Sequence, residues 1–235
     1  MTDRHRPVHT RRQMLRSLAG GAAAITAVST FSDLITPTAA AAQSVLTPEA
    51  ALQALVEGNR RFAANQLTSI QHDLDVLKSH TADKQEPFAA VLTCADSRIP
   101  VELIFDQTIG HIFVTRVAGN ITTPEIIASL EYAVAVLGVK AVLVLGHSNC
   151  GAVKAALKSD TVPGQISTLY RPIRQAVEQA GGDFVKAIAA NAKVQADLLR
   201  TTSTVIRDAL QTKKVIVGSA VYDLATGVVS PASAG

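Results

Sequence analysis

The chain has only two cysteines, and both stand among residues that can do chemistry. Cys94 opens "CADSR", in which a thiol, a carboxylate (Asp96) and a guanidinium (Arg98) alternate by two. Cys150 closes "HSNC", three residues after His147. Thiolate sulfur and neutral imidazole nitrogen are the usual zinc ligands, with carboxylate a third option. Cys94 and Asp96 at a strand end can face the same side. His147 and Cys150 bracket a strand-to-helix turn, where both side chains can reach one point. A helix starting at Cys150 also favours its thiolate through the positive end of the dipole.

Several readings of this set are open. A disulfide between Cys94 and Cys150 suits an exported protein, but leaves His147, Asp96 and Arg98 without a role. Buried core thiols are ordinary for cysteine. A redox CxxC pair is absent. Two thiolates, an imidazole and a carboxylate would close a structural zinc tetrahedron, whereas three ligands would leave a position open for chemistry.

The pattern around these residues predicts how they are placed. The runs 87–93 and 140–146 are short, apolar and unbroken, as expected of strands buried on both faces. Residues 111–119 form a further strand candidate. Helices are expected from Thr47, with Leu52, Leu55, Val56 and Phe62 as the apolar stripe, and from Thr123 to Gly138. Both start with a threonine cap followed by proline. A short helix opens at "CGAVKAAL", two longer ones cover 163–180 and 183–201, and another covers 203–211. A last strand turns at Ala225–Gly227 and returns. Helices alternating with apolar strands argue an α/β fold with a mainly parallel sheet of four to five strands flanked by helices. Sites in such sheets lie at the carboxyl ends of strands, where Cys94 and the His147–Cys150 turn both fall.

The first residues read differently. Arg11 and Arg12 precede an Ala/Gly-rich apolar stretch, and "TPTAAAAQS" carries small residues at signal-peptidase spacing. Residues 1–42 are expected to be a twin-arginine export leader, leaving one domain over 43–235. Thr26, Ser29, Thr30, Ser32 and Asp33 make the apolar stretch a poor membrane span, so no stable anchoring is expected after cleavage. The expected destination is periplasmic or extracellular. The net charge of +3 resides in the leader, since residues 43–235 carry equal numbers of basic and acidic side chains. That balance, without a basic patch interleaved with aromatics, argues against nucleic acid as partner.

"CADSR" and "HSNCGA" together resemble the β-class carbonic anhydrases. "EGNRRF", "QEPFAAVLTC", "FVTRVAGN", "SLEYAV" and "VYDLATG" are similar to family segments in family order. The resemblance implies that Cys94, His147 and Cys150 hold Zn2+, with Asp96 and Arg98 as the catalytic dyad. It implies that Gln85, Phe113 and Tyr132 line a CO2 pocket across the interface of a homodimer, or of a higher even oligomer. It places Gly151 where a backbone amide can approach the site. Val91 suits the greasy wall that apolar CO2 requires. The implied activity is reversible hydration of CO2 to bicarbonate and a proton by zinc-bound hydroxide. A bidentate Arg98–Asp96 pair is expected to hold the carboxylate off the metal. Without it, Asp96 is a conditional fourth ligand. Related chemistry on CS2 or COS, and a non-catalytic exported zinc-binding protein, are the competing functions. His111, where the family more often shows an acidic residue, is either a solvated strand-start residue or a proton shuttle.

Overall fold

The structure, a computed structural model, describes residues 44–71 and 74–232. The expected leader, residues 1–42, lies outside them.

Helix α1 (Pro48–Ala63) begins as its sequence predicts. Thr47 is extended, and its side chain accepts a hydrogen bond from the Ala50 N–H. Its buried stripe departs from expectation at Val56, which is 40% exposed, while Ala51, Leu55, Gly58 and Asn59 are buried. Gly58 explains the rotation. A Cβ there would stand 1.8 Å from the Phe105 carbonyl oxygen, so only glycine lets α1 approach this backbone so closely. Helix α2 (Leu74–Thr81) buries none of its residues in a single chain.

Among the described residues five strands form one sheet: β1 (Ala89–Thr93), β2 (Ile112–Arg116), β3 (Ala141–His147), β4 (Ile216–Tyr222) and β5 (Val229–Pro231). Their order is β2-β1-β3-β4-β5, with all neighbours parallel except β4 and β5. β1 and β3 are buried at every position. Unbroken apolar runs are what two covered faces demand. One face packs Ala89, Val91, Leu143 and Leu145 beneath α1 and α3 (Val101–Ile104). The other packs Ala90, Leu92, Val142 and Val144 against three helices. These are α4 (Pro124–Ala135), α7 (Phe184–Thr202) and α8 (Thr204–Gln211). A third cluster joins Cys94 and Cys150 to α5 (Gly151–Lys158) and α6 (Tyr170–Ala180).

The β2 strand is shorter than expected, ending at Arg116 rather than 119. Gly119 and Asn120 take positive φ values of 77° and 44°, which no ladder accommodates, and the chain turns there. The sheet order also creates a switch point. The chain leaves β1 for β2 on one side and returns to β3 on the other. The crevice between the carboxyl ends of β1 and β3 is therefore the place where such sheets bind.

Candidate metal centre

Both sides of that crevice carry the chemistry. Cys94 is the first residue beyond β1, and the Thr93 hydroxyl ties the strand end to the Leu145 carbonyl at 2.9 Å. His147 is the last residue of β3. Asn149 then takes a left-handed φ of 57°, a conformation asparagine tolerates, and the chain enters α5 with Cys150 as its N-cap residue. Ser148 fastens this turn to the end of β4. Its N–H donates to the Tyr222 carbonyl, and its Oγ accepts from the Leu224 N–H, both at 2.9 Å.

The ligand atoms of Cys94, His147 and Cys150 lie within 4.8 Å of one another, and all three side chains are buried. Both thiols are free, which removes the disulfide reading. The donor set fits a zinc ion on an observation independent of residue type. His147 Nδ1 lies 2.9 Å from the Ser148 carbonyl, which can only accept, so the ring proton belongs on Nδ1. Nε2 then presents a lone pair. It is buried and has no hydrogen-bond partner. An orphaned imidazole nitrogen facing two sulfurs costs free energy unless a cation takes the lone pair.

The thiols make the same demand. Hydrogen bonding from Cys150, and then from the Gly119 N–H, pushes the Cys94 thiol down despite burial. The same pairing, together with burial, pushes Cys150 up. The two sulfurs are too close for both to ionise in a dry site without compensating positive charge. The Gly119 N–H donates to Cys94 Sγ at 3.3 Å.

Asp96 stands beside this triangle, with Oδ2 3.9 Å from His147 Nε2. Arg98 holds it in the bidentate geometry its spacing predicts. Nε donates to Oδ1 at 2.9 Å and Nη2 to Oδ2 at 2.7 Å, with the Arg98 backbone N–H on Oδ1 at 3.0 Å. The Arg98 side chain holds the Asp96 carboxyl well below the usual carboxylate range, against the opposing effect of burial.

The remaining expected residues are not brought to the triangle within one chain. Phe113 pairs in register with Ala90, about 10 Å along the strand from the level of Thr93 at roughly 3.3 Å per residue. Its ring meets Tyr132 on α4 at 6.4 Å between centroids, tilted by 45°, and Tyr132 is 46% exposed. Gln85 is exposed and precedes β1, at the opposite end of the sheet. Val91 requires a correction. It is fully buried under α1, on the sheet face opposite Phe113, because alternate strand residues point to opposite faces. It belongs to the core and not to a pocket wall shared with Phe113. Gly151 is exposed at the start of α5, with nothing within 4 Å of a Cβ built on it. No close contact requires glycine at this position. His111 also sits at the amino edge, where its carbonyl accepts from the Phe88 N–H and its ring meets the Thr108 hydroxyl at 3.2 Å. It is the strand-start residue, and it cannot shuttle protons to the triangle of its own chain.

Two contributors escaped the sequence reading. The Arg116 guanidinium donates from Nε to the Cys94 carbonyl at 3.1 Å, and from Nη2 to the Asp96 carbonyl. It braces the loop that carries both residues. Gly119 supplies the amide on Cys94. Both lie in "FVTRVAGN", where a glycine just past a strand end was the available signal.

Fold and site define a candidate metal centre, with two cysteines and one histidine at the carboxyl ends of inner strands in a mainly parallel sheet. The family model described as carbonic anhydrase matches residues 89–229. Carbonic anhydrase 2 of Mycobacterium tuberculosis is 45% identical over 120 residues, 50% of this chain and 58% of that protein. The chain thus spans little more than half the length of that relative. A carbonic anhydrase of Pseudomonas aeruginosa is 36% identical over 162 residues, covering 62% of this chain and 73% of its own. A solved β-carbonic anhydrase of Aspergillus fumigatus superposes with a TM-score of 0.64 at 29% identity, covering 78% of this chain and 91% of its own. The chain belongs to the carbonic anhydrase family, in its β class.

Proposed function

We propose that the protein binds one zinc ion through Cys94, His147 and Cys150 and catalyses the reversible hydration of CO2 to bicarbonate and a proton. The observation that carries this reading is the Asp96–Arg98 pair set 3.9 Å from the orphaned His147 nitrogen. A storage or purely structural site has no use for a carboxylate held beside the ligands and restrained from joining them. Bound zinc supplies a Lewis acid that brings the pKa of a coordinated water to near 7.

The chain's own residues do the rest. Asp96, ionised throughout the neutral range, can accept a hydrogen bond from the reacting water and fix its orientation. Arg98 keeps that carboxylate in place through its two side-chain bonds. Arg116 and the Gly119 amide fix the Cys94 backbone and sulfur. The Cys94 and Cys150 thiolates would balance the charge of a bound dipositive ion.

The exposure of Tyr132, paired with the partly buried Phe113, and of Gln85 supports completion of the CO2 pocket by a second copy of the chain, in a dimer or higher even oligomer. Export by the twin-arginine route is part of the proposal and rests on the residues of 1–42 alone. Among the described residues no helix is long and apolar enough to cross a membrane.

The test measures zinc per chain and stopped-flow CO2 hydration on the protein and on Asp96→Asn. One zinc per chain with rapid hydration, lost in the variant, is expected. One zinc per chain without hydration at mildly alkaline pH refutes the enzyme and leaves a zinc-binding module. N-terminal sequencing of the exported form checks cleavage near Ala42.

A further inference from the structure

Helix α7 buries two side-chain amides, Asn191 and Gln195, both 0% exposed and one helical turn apart. Helices that cover sheets bury apolar residues, and a buried amide is costly unless its hydrogen bonds are made. Here they are made in one connected chain. The Thr122 N–H donates to Gln195 Oε1 at 2.7 Å. Gln195 Nε2 donates to the Pro172 carbonyl at 2.9 Å and to Asn191 Oδ1 at 3.2 Å. Asn191 Nδ2 donates to the Gly119 carbonyl at 2.8 Å. The Gly119 N–H donates to Cys94 Sγ.

The direction of this chain is forced. A backbone N–H can only donate and a carbonyl can only accept. Thr122 therefore fixes Gln195 with its oxygen toward the loop, and Pro172 receives the amide nitrogen. Asn191 must then turn its oxygen to Gln195 and its nitrogen to Gly119. At the far end, Gly119 and Asn120 are both in the left-handed region. Consecutive residues of that kind persist where their surroundings over-determine them. At Gly119 a Cβ would stand 2.9 Å from Ile173 Cδ1 and 3.1 Å from Ala152 Cβ, so the turn is also closely packed.

We propose that Asn191, oriented by Gln195, is a positioning residue for the metal centre. It fixes the 118–120 turn so that the Gly119 amide faces the Cys94 sulfur. Neither side chain touches the ligands or substrate. Their effect on Cys94 passes through Gly119. The inference rests on the zinc reading above and extends the centre to a helix whose sequence shows no ligand. Partners of this outer kind typically change metal affinity by about 10–100-fold when removed.

The test uses the full chain with zinc as the probe. Asn191→Leu removes the donor at similar volume. Asn191→Asp keeps the shape and sets a carboxylate oxygen against the Gly119 carbonyl. Gln195→Met frees the Asn191 amide to reverse. The zinc dissociation constant is read by competition with a chromophoric chelator. The thiolate-to-metal charge-transfer band is read on the cobalt(II) form, and the melting temperature on the metal-free form. The expected result is a dissociation constant raised about 10–100-fold in the Asn191 variants, with a shifted charge-transfer band. In Gln195→Met the same direction is expected with a smaller rise.

A lower melting temperature with unchanged affinity and band would show that the amides only satisfy the core, and overturns the inference. If the Asn191 variants do not fold, Gln195→Met and the unsubstituted protein decide. Loaded with a spin-half isotope of cadmium, that protein should show scalar coupling between the metal and the Gly119 amide proton, and absence of coupling overturns the proposal. A parent protein that binds no zinc sinks the metal-centre reading and this inference together. A parent that binds zinc beside indifferent variants sinks the inference alone.

Discussion

Removing the Arg98 side chain tests what keeps Asp96 beside the metal centre rather than on it. Arg98→Ala deletes two charge-assisted hydrogen bonds, at 2.9 and 2.7 Å, and leaves the backbone N–H of residue 98 on Oδ1. The Arg98 side chain is 53% exposed and that of Asp96 17%, so solvent screens the pair, and its loss shifts the balance between a held and a freed carboxylate by no more than about tenfold. A freed Asp96 has a short way to go, since Oδ2 is already 3.9 Å from His147 Nε2. The expected outcome is CO2 hydration reduced about tenfold, with azide affinity of the cobalt(II) form reduced by about the same factor, because the carboxylate competes for the fourth position. The double variant Arg98→Ala/Asp96→Asn should regain azide affinity, since an amide is a poor ligand, without regaining turnover. Azide binding and hydration within about twofold of the parent in Arg98→Ala would refute the reasoning. Protonation of Asp96 cannot imitate the result. Arg98 depresses its folded pKa, so the pair is fully formed above the unfolded value of about 4 and is lost only as pH falls through the folded one.

Asp106 is a buried carboxylate, and its role is stability. It accepts from Arg61, from the Thr68 N–H and hydroxyl, and from the Ser69 N–H. Asp106→Asn should lower urea-unfolding stability by about 3 kcal/mol. Burial opposes ionisation, but these bonds depress its folded pKa, so its contribution is present above about pH 4 and is lost on acidification below that. The variant should consequently show a shallower loss of melting temperature between neutral and acid pH. Gly58→Ala sets a Cβ 1.8 Å from the Phe105 carbonyl oxygen, and thermal melts should show a loss of about 3 kcal/mol or more. Tyr132→Ala should keep its zinc and lose hydration. Mixing it with Asp96→Asn chains should restore about a quarter of the activity, because one site in each mixed dimer is intact. No recovery on mixing would show that Tyr132 does not serve a second chain.

Residues near in sequence were read well because their physics is local. Thr47–Pro48 and Thr123–Pro124 start helices through cap bonds made within three residues, and both caps are observed. The buried runs of β1 and β3 needed no partner to be recognised, and they alone bring Cys94 near His147. The bidentate Asp96–Arg98 pair is equally local. What escaped was long-range. The stripe of α1 shifted because Gly58 answers to Phe105, far along the chain. The amides of α7 met their partner at Gly119, 72 residues away. Val91 was misplaced for another reason. In a strand buried on both faces, apolarity does not say which face a residue takes, and only its pairing beside Phe113 separates them.

The two halves of the site stand on unequal ground. The ligands spring from β1 and β3, the inner strands, buried at every position and tied to each other and to β4 by backbone and side-chain bonds. A metal centre needs donors fixed to within fractions of an ångström, and these strands are buried at every position. Phe113 and Tyr132 instead stand on the edge strand β2 and the half-exposed flank of α4, where one chain leaves Phe113 partly covered and Tyr132 exposed. Metal affinity should therefore be a property of the single chain, while CO2 handling depends on association. Dilution that separates the chains should leave zinc in place and silence turnover. The Asp96–Arg98 pair joins the two behaviours, since it belongs to the ligand half by backbone and is partly open to its surroundings by exposure.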